Sequence, residues 1–163
     1  DAGSAKRARE YATELGCPVA IGDKMRYGHD ENAKVLEIIG EVKDKNCLVV
    51  DDFSISGGTL VDVAYGLKDK GCKNIYAALS HNVLAAKGIQ RIEESPIEFL
   101  VSTDTLECPD AALSTKIRMI SAAPMFAQAV KIIHDRAPMS TIFDQRVNKR
   151  LMDMSFSEQQ TLL

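Results

Sequence analysis

The sequence predicts an α/β domain in which a mostly parallel β-sheet carries helices on both faces. Short strand-like segments alternate with amphipathic helical segments along most of the 163 residues, which is the pattern of repeated βαβ units. Several of the strand-like segments are continuous apolar runs rather than alternating ones. Continuous runs are typical of strands that are covered on both sides in a parallel sheet, so the two observations agree on the fold class.

The predicted helices carry apolar residues at spacings of three and four. Ala8, Ala12 and Leu15 follow this spacing in the first helix, and Gly16 is suited to end it. Pro124 falls in the first turn of the fourth helix, where proline is tolerated. The predicted helices span residues 4–15, 59–70, 85–94, 123–135 and 139–154.

The predicted strands are short and rich in Val, Ile and Leu. The clearest of them, residues 47–50, ends abruptly at two acidic residues. Residues 24–32 contain charges, Gly28 and a histidine without apolar periodicity, which predicts a mobile loop. A second loop is predicted at residues 53–58. The predicted strands span residues 18–22, 34–39, 47–50, 75–79, 97–102 and 117–120.

Composition limits the classes of function. The chain is 45% hydrophobic and 26% charged with a net charge of -3, which is ordinary for a globular domain and argues against nucleic-acid binding driven by bulk charge. No apolar run reaches the roughly 20 residues that span a bilayer. The four cysteines form no CxxC pair, which predicts buried free thiols in a reducing cytoplasm rather than a zinc site. They are Cys17, Cys47, Cys72 and Cys108.

Residues 49–59 form the motif with the clearest chemistry. Asp51 and Asp52 follow a buried strand, at the edge of an open α/β sheet where ligands bind. A serine- and glycine-rich loop then leads into a helix N-terminus, whose N–H groups can hold a phosphate. The carboxylates can accept hydrogen bonds from two vicinal ribose hydroxyls, directly or through Mg²⁺. The predicted substrate-binding residues here are Asp51, Asp52, Ser54, Ser56, Gly57, Gly58 and Thr59.

This motif resembles the phosphoribosyl-binding loop of type I phosphoribosyltransferases and of ribose-phosphate pyrophosphokinases (PRPP synthetases). Further motifs of the pyrophosphokinases follow in register. Residues 1–7 resemble their pyrophosphate loop and residues 23–26 resemble their Lys-x-Arg catalytic loop. Residues 38–43, 91–97 and 102–105 are similar to other segments of that family. The resemblance covers residues 1–143 and therefore nearly the whole chain.

The resemblance implies a type I phosphoribosyltransferase-like fold and the C-terminal half of a pyrophosphokinase. We expect residues 1–145 to form that domain and residues 146–163 to form an extension that is helical and then frayed. The implied reaction moves the β,γ-diphosphoryl group of ATP to the 1-hydroxyl of ribose 5-phosphate, giving PRPP and AMP. Because the other half of such a protein supplies most of the ATP site, this chain alone is expected to be inactive. A homo-oligomer is implied for the full-length protein.

The resemblance also assigns roles near the anomeric carbon. Asp51 and Asp52 would hold the ribose hydroxyls with Mg²⁺, and Asp1 and Gly3 would lie beside the anomeric carbon. The implied metal ligands are Asp1, Asp51 and Asp52.

Lys24 and Arg26 are implied as the catalytic residues. Transfer of phosphoryl groups depends mainly on stabilising charge, and two cations on a closing loop supply it. Without the resemblance, both residues would be interpreted as solvated loop charges.

Two positions depart from the family pattern. Ile55 stands where a polar residue usually helps to hold the sugar, and Ser4 replaces a glycine of the pyrophosphate loop. These departures keep two alternatives open, a pyrophosphokinase for a larger 5-substituted ribose such as ADP-ribose and a non-catalytic synthetase-associated subunit. The shared ribose loop keeps a third alternative open, a phosphoribosyltransferase that uses PRPP.

Overall fold

The computed structural model describes residues 2–26 and 34–143. Two 3₁₀ turns, Pro109–Leu113 and Met139–Phe143, accompany the regular elements. In chain order the helices are α1 (Ala2–Leu15), α2 (Gly58–Asp69), α3 (Ala86–Glu94) and α4 (Ala123–His134). The strands are β1 (Ile21–Arg26), β2 (Lys34–Ile39), β3 (Asn46–Ser54), β4 (Asn74–Asn82), β5 (Ile97–Thr103) and β6 (Ile117–Ile120).

The main sheet has four parallel strands in the order β3-β4-β5-β6. Its strands progress in one direction, and right-handed crossovers of that kind place the connecting helices on a single face. Helices α2 and α3 accordingly lie side by side over the sheet. The predicted α/β class, with a parallel sheet flanked by helices, is confirmed.

The hydrophobic core lies between the sheet and this helix pair. Leu60 and Ala64 of α2 and Ile92 of α3 are at most 1% exposed. Alternate residues of β4, from Ile75 to Leu79, point into the same layer and are buried, while their neighbours are half-buried. Burial of this apolar layer is the main term that stabilises the domain.

The opposite face of the sheet is covered less completely. Tyr76 and Phe99 pack with their ring centroids 4.7 Å apart, and the Arg118 guanidinium lies 4.8 Å from the Phe99 centroid. Leu48, beside Tyr76 in the strand register, keeps 46% of its surface exposed. The two faces of the sheet therefore differ in how much water they exclude.

Strands β1 and β2 form a separate antiparallel pair. Ile38 and Val42 join this pair to the core beside α2. The predicted loop at residues 24–32 is wrong at its start, because Lys24 and Arg26 lie within β1 and pair with Leu36 and Lys34. Residues 27–33 lie outside the described part of the chain.

Other boundaries also differ from the sequence predictions. Strand β3 continues to Ser54 because the ladder with β4 extends past the two acids as far as Ser54 and Asn82. Strand β1 begins at Ile21 rather than at residue 18. The helix predicted at 139–154 is described only as the 3₁₀ turn at its start, since residues 144–163 lie outside the description. Helix α1 begins at Ala2 rather than at the predicted residue 4, so Gly3 of the predicted pyrophosphate loop is also helical.

The cysteines are free thiols, as predicted. Cys17 is exposed, which corrects the prediction of burial, because it follows the left-handed Gly16 at the end of α1. The other three are half-buried. Burial, and then a hydrogen bond with Cys72, raise the pKa of the Cys47 thiol to about 12. Among the helices described, none is long and apolar enough to cross a membrane.

The unequal faces of the sheet give a stability prediction. Leu100 is 0% exposed in the core, whereas Leu48 lies on the less covered face. Leu100→Ala should therefore lower the free energy of unfolding by about 2–5 kcal/mol. Leu48→Ala should lower it by less than about 1.5 kcal/mol. Urea denaturation of both variants measures the difference, and equal losses would contradict this description of the faces.

Candidate functional site

The two acidic residues lie near the end of β3 with their side chains on opposite faces of the sheet. Asp51 pairs in register with the buried Leu79, so it faces the layer of α2 and α3. Asp52 faces the other side, as successive strand residues must. The Asp52 N–H donates to Asp51 Oδ1 over 3.0 Å, and the Phe53 N–H donates to Asp52 Oδ1 over the same distance. These bonds orient both carboxylates at the carboxyl edge of the sheet.

Arg7 of α1 binds the second carboxylate directly. Its Nη1 donates to Asp52 Oδ2 over 2.8 Å. This hydrogen bond and ion pair lower the pKa of Asp52 and raise the pKa of Arg7. Arg7 lies in the predicted pyrophosphate-loop motif, but no role was predicted for it. The charge complementarity became visible only once α1 was placed beside β3.

The first carboxylate is in the opposite electrostatic situation. Burial raises the pKa of Asp51, and the neighbouring Asp52 carboxylate raises it further. The two pKa values are therefore pushed apart, one by desolvation and the other by a cation. Such a pair keeps Asp52 ionised over a wide pH range, while Asp51 accepts a proton more readily.

The loop after β3 has the shape of an anion-binding cradle. Gly57 adopts φ 69°, a left-handed conformation that glycine tolerates best, and α2 begins at the next residue. The Gly57 N–H donates to Ser54 Oγ over 3.2 Å and the Gly58 N–H donates to Ser56 Oγ over 3.3 Å. Both bonds are longer than the usual value of about 2.9–3.0 Å. Phosphate oxygens are stronger acceptors and can replace these hydroxyls.

Helix α3 forms the outer wall of this loop. The Ala85 N–H donates to the Ile55 carbonyl over 3.0 Å, and Arg91 Nη1 donates to the Ser56 carbonyl over 3.0 Å. A Cβ on Gly88 would lie 3.0 Å from the Ile55 carbonyl oxygen. Arg91 was predicted only as part of a family motif, and no role was predicted for Gly88. The crossover that brings α3 against this loop could not be inferred from local spacing.

A hydroxyl network extends the polar edge next to Asp52. His81 Nδ1 lies 2.7 Å from Thr105 Oγ1, which lies 2.9 Å from Thr103 Oγ1. The Thr103 hydroxyl donates to the Ser80 carbonyl. Ser80 faces the same side as Asp52 in the strand register and lines the small pocket that contains Arg7 and Asp52. The carboxyl edges of three adjacent strands thus supply polar groups to one region.

Comparisons with known proteins agree on one family. The sequence profile described as "Phosphoribosyl synthetase-associated domain" matches residues 23–144. A ribose-phosphate pyrophosphokinase of Clostridium perfringens is 41% identical over 88% of this chain and 44% of its own length. One from Caldanaerobacter subterraneus is 43% identical over 88% of this chain and 45% of its own.

A solved structure supports the same assignment. The phosphoribosylpyrophosphate synthetase from Mycobacterium smegmatis matches with a TM-score of 0.71 and 27% identity, over 80% of this chain and 43% of that one.

The chain belongs to the ribose-phosphate pyrophosphokinase family. It spans about half the length of the curated family members that it matches. The family resemblance inferred from the motifs is therefore confirmed.

The structure brings together only part of the predicted pyrophosphokinase site. Asp1 lies outside the described residues. Gly3 is placed in the first turn of α1, and Lys24 and Arg26 are placed in β1, but their side chains lie outside the description. The predicted roles of these four residues remain predictions. The residues that are brought together are Asp51, Asp52, Ser54, Ser56, Gly57, Gly58 and Thr59.

Ile55, the departure from the family pattern, lies at the surface of the loop. Its side chain is 61% exposed, while its carbonyl oxygen accepts the Ala85 N–H. The backbone contact does not depend on the identity of the side chain, so isoleucine is compatible with this loop path.

The donor set of the site fits a hard divalent cation. Within the described ranges, no group of three or more His, Cys, Asp and Glu side chains could enclose a metal. Magnesium often uses only one or two protein carboxylates and completes its octahedron with water and phosphate oxygens. Asp51 and Asp52 offer carboxylate oxygens of that kind, so their chemistry fits such a cation.

The ion pair between Arg7 and Asp52 gives a titration prediction. Asp52 has an ordinary pKa of 3.8, and Arg7→Met should raise its pKa from the present lowered value toward that number. The stabilisation from the ionised carboxylate is present above that ordinary value and is lost as the pH falls through the lowered pKa. Carboxyl ¹³C NMR titration measures the pKa. Arg9→Met, on the same helix, is the matched control, and an unchanged pKa of Asp52 in Arg7→Met would exclude this ion pair.

The raised pKa of Asp51 predicts the opposite dependence of stability on pH. Its pKa in the folded chain is raised above the ordinary 3.8, so stability is lost as the pH rises from that value through the raised pKa. Asp51→Asn should therefore raise the melting temperature at about pH 8 and leave it nearly unchanged at about pH 3. Glu98→Gln, an exposed carboxylate on β5, serves as control. An equal gain at both pH values would show that charge is not the cause.

Proposed function

We propose that the protein containing this chain transfers the β,γ-diphosphoryl group of ATP to the 1-hydroxyl of ribose 5-phosphate. The products are PRPP and AMP. Family membership supports the reaction class. The proposed substrate rests on one observation, that two carboxylates, a left-handed Ser/Gly loop and a helix N-terminus follow one another along the chain. Together these features match a ribose with a phosphate on its 5-carbon.

In this proposal, the loop and the carboxylates hold opposite ends of the sugar. The N–H groups of Gly57 and Gly58 and the hydroxyls of Ser54, Ser56 and Thr59 bind the 5-phosphate, assisted by the N-terminal dipole of α2. Asp51 and Asp52 accept hydrogen bonds from the 2- and 3-hydroxyls. Arg7 keeps Asp52 ionised, so that it remains an acceptor.

Binding at both ends fixes the position of the 1-hydroxyl. Its oxygen attacks the β-phosphorus of ATP, the bond from that phosphorus to the oxygen that bridges it to the α-phosphorus breaks, AMP leaves with that oxygen, and the hydroxyl proton passes to solvent. We propose that Asp1, Asp51 and Asp52 would hold Mg²⁺, which would neutralise charge on the transferred group. Lys24 and Arg26 are proposed to stabilise the charge that develops during transfer.

In this proposal, another part of the full-length protein supplies most of the ATP site. The chain spans about half the length of its relatives, and we propose that it corresponds to their C-terminal half, with residues 1–145 as the phosphoribosyltransferase-like domain and residues 146–163 as an extension. Most of the ATP site would then belong to the other half, and this chain by itself would be inactive. We also propose a homo-oligomer in the cytoplasm. Large apolar side chains that remain exposed on α4, among them Val130 and Ile133, support association.

Calorimetry on the intact protein tests the substrate. Ribose 5-phosphate should bind, more tightly with Mg²⁺ than without it. Gly58→Val should weaken binding, because its side chain would add bulk beside the Ser56 hydroxyl in the cradle. A Cβ on Gly58 would itself meet Ser56 Oγ at 3.4 Å and Arg91 Nη1 at 3.8 Å, which are ordinary contact distances. Asp51→Ala should weaken binding at least about tenfold through loss of hydroxyl or metal contacts. Release of AMP that depends on ribose 5-phosphate then tests the reaction.

ADP-ribose is the comparison ligand in the same experiment. Tighter binding of ADP-ribose than of ribose 5-phosphate would overturn the proposed acceptor in favour of a larger one. Binding of ribose 5-phosphate without release of AMP in the presence of ATP would favour a non-catalytic subunit. Consumption of PRPP with a free base would instead identify a phosphoribosyltransferase.

A further inference from the structure

Arg91 is a cation at the phosphate loop to which the proposed site gives no role. Its Nη1 donates to the Ser56 carbonyl over 3.0 Å and lies 3.8 Å from the place where a Cβ on Gly58 would stand. The side chain is exposed. Within the part of the chain that the structure describes, no carboxylate forms an ion pair with it. Its bond to a neutral carbonyl therefore leaves its charge uncompensated next to the cradle.

The hydrogen bond of Arg91 sets the direction of a cradle donor. The Ser56 carbonyl and the Gly57 N–H belong to one planar trans peptide, in which the two groups point in opposite directions. Holding the carbonyl toward α3 therefore turns the Gly57 N–H away from α3. That N–H reaches Ser54 Oγ, on the inner side of the loop.

The neighbouring contacts make α3 a rigid support for this peptide. The Ala85 N–H donates to the Ile55 carbonyl. The backbone of Gly88 limits movement of Gly57, because a Cβ on Gly57 would lie only 3.1 Å from the Gly88 carbonyl oxygen. Glu93 then ties the end of α3 to the segment before β6, accepting from Thr115 Oγ1 over 2.8 Å and from the Lys116 N–H over 3.1 Å. Arg91 is thus a side chain on an anchored helix, able to hold the loop rather than move with it.

We propose that Arg91 is a positioning residue for the 5-phosphate. It fixes the Ser56–Gly57 peptide with the N–H toward the phosphate, and its charge favours the dianionic form of that group. This inference rests on the proposed function, since it concerns the same cradle. Arg91 acts on substrate binding and has no part in the transfer step.

Steady-state kinetics and calorimetry of the intact protein test this role. Arg91→Met should raise the KM and Kd for ribose 5-phosphate about tenfold, because a charge-assisted hydrogen bond and a nearby cation are both lost. The kcat and the KM for ATP should not change. Arg91→Lys, which keeps the charge and one donor, should recover most of the affinity. Lys87→Met removes the same charge from an exposed position of α3 and should leave both constants at the wild-type value.

The outcomes separate the inference from the proposed function. If the unaltered protein does not bind ribose 5-phosphate, the proposed function and the role of Arg91 fail together. If it binds but Arg91→Met binds equally well, only the role of Arg91 is overturned. An equal loss in Lys87→Met would assign the effect to general charge and overturn positioning. If Arg91→Met also lowers the melting temperature, Arg91→Lys is the deciding variant. Recovery of both the melting temperature and the affinity for ribose 5-phosphate in Arg91→Lys supports the role. A normal melting temperature with the affinity still lost overturns it.

Discussion

The path of the backbone from β3 into α2 is the constraint on which the rest of the site depends. The chain must leave a strand, turn within three residues and begin a helix, and Gly57 makes this possible with its positive φ. The turn packs so closely on α3 that a Cβ on either Gly57 or Gly88 would crowd the backbone of the other segment. Cradle, carboxylates and helix wall are consequently one unit, in which moving one part displaces the others.

The two carboxylates of that unit have different electrostatic surroundings. Arg7 compensates the charge of Asp52, whereas Asp51 is partly desolvated on the covered face. Placing two carboxylates on adjacent strand residues with different surroundings separates their pKa values. The cost of partly burying Asp51 is typical of a functional site, where local stability is lower than it could be. A cation bound at the site would remove that cost by compensating the negative charge of Asp51.

The two faces of the sheet are covered to different extents. One face lies under α2 and α3 and contains residues that are fully excluded from water, while Leu48, Tyr76 and Phe99 on the other face are only partly covered. The site lies at the edge common to both faces. The Asp51 side chain faces the helix layer, and the Asp52 side chain faces the less covered side of the sheet, where Arg7 of α1 binds it.

The amino-acid sequence was enough to predict the α/β class and the positions of most helices and strands, and it pointed to the acids and glycines of the loop. It could do so because apolar periodicity, glycine placement and paired acids are local signals that physical chemistry interprets within a few residues. It misjudged the length of β3 and the start of β1, because pairing with a neighbouring strand, rather than local propensity, decides where a strand ends.

The contacts of Arg7 with Asp52 and of Arg91 with Ser56 depend on the tertiary structure. Arg7 and Asp52 are 45 residues apart, and Arg91 and Ser56 are 35 apart. No local pattern links such residues; the packing of α1 and α3 against the end of β3 does. The local sequence places two acids, serines and glycines in one segment, whereas the fold determines which distant side chains contact that segment.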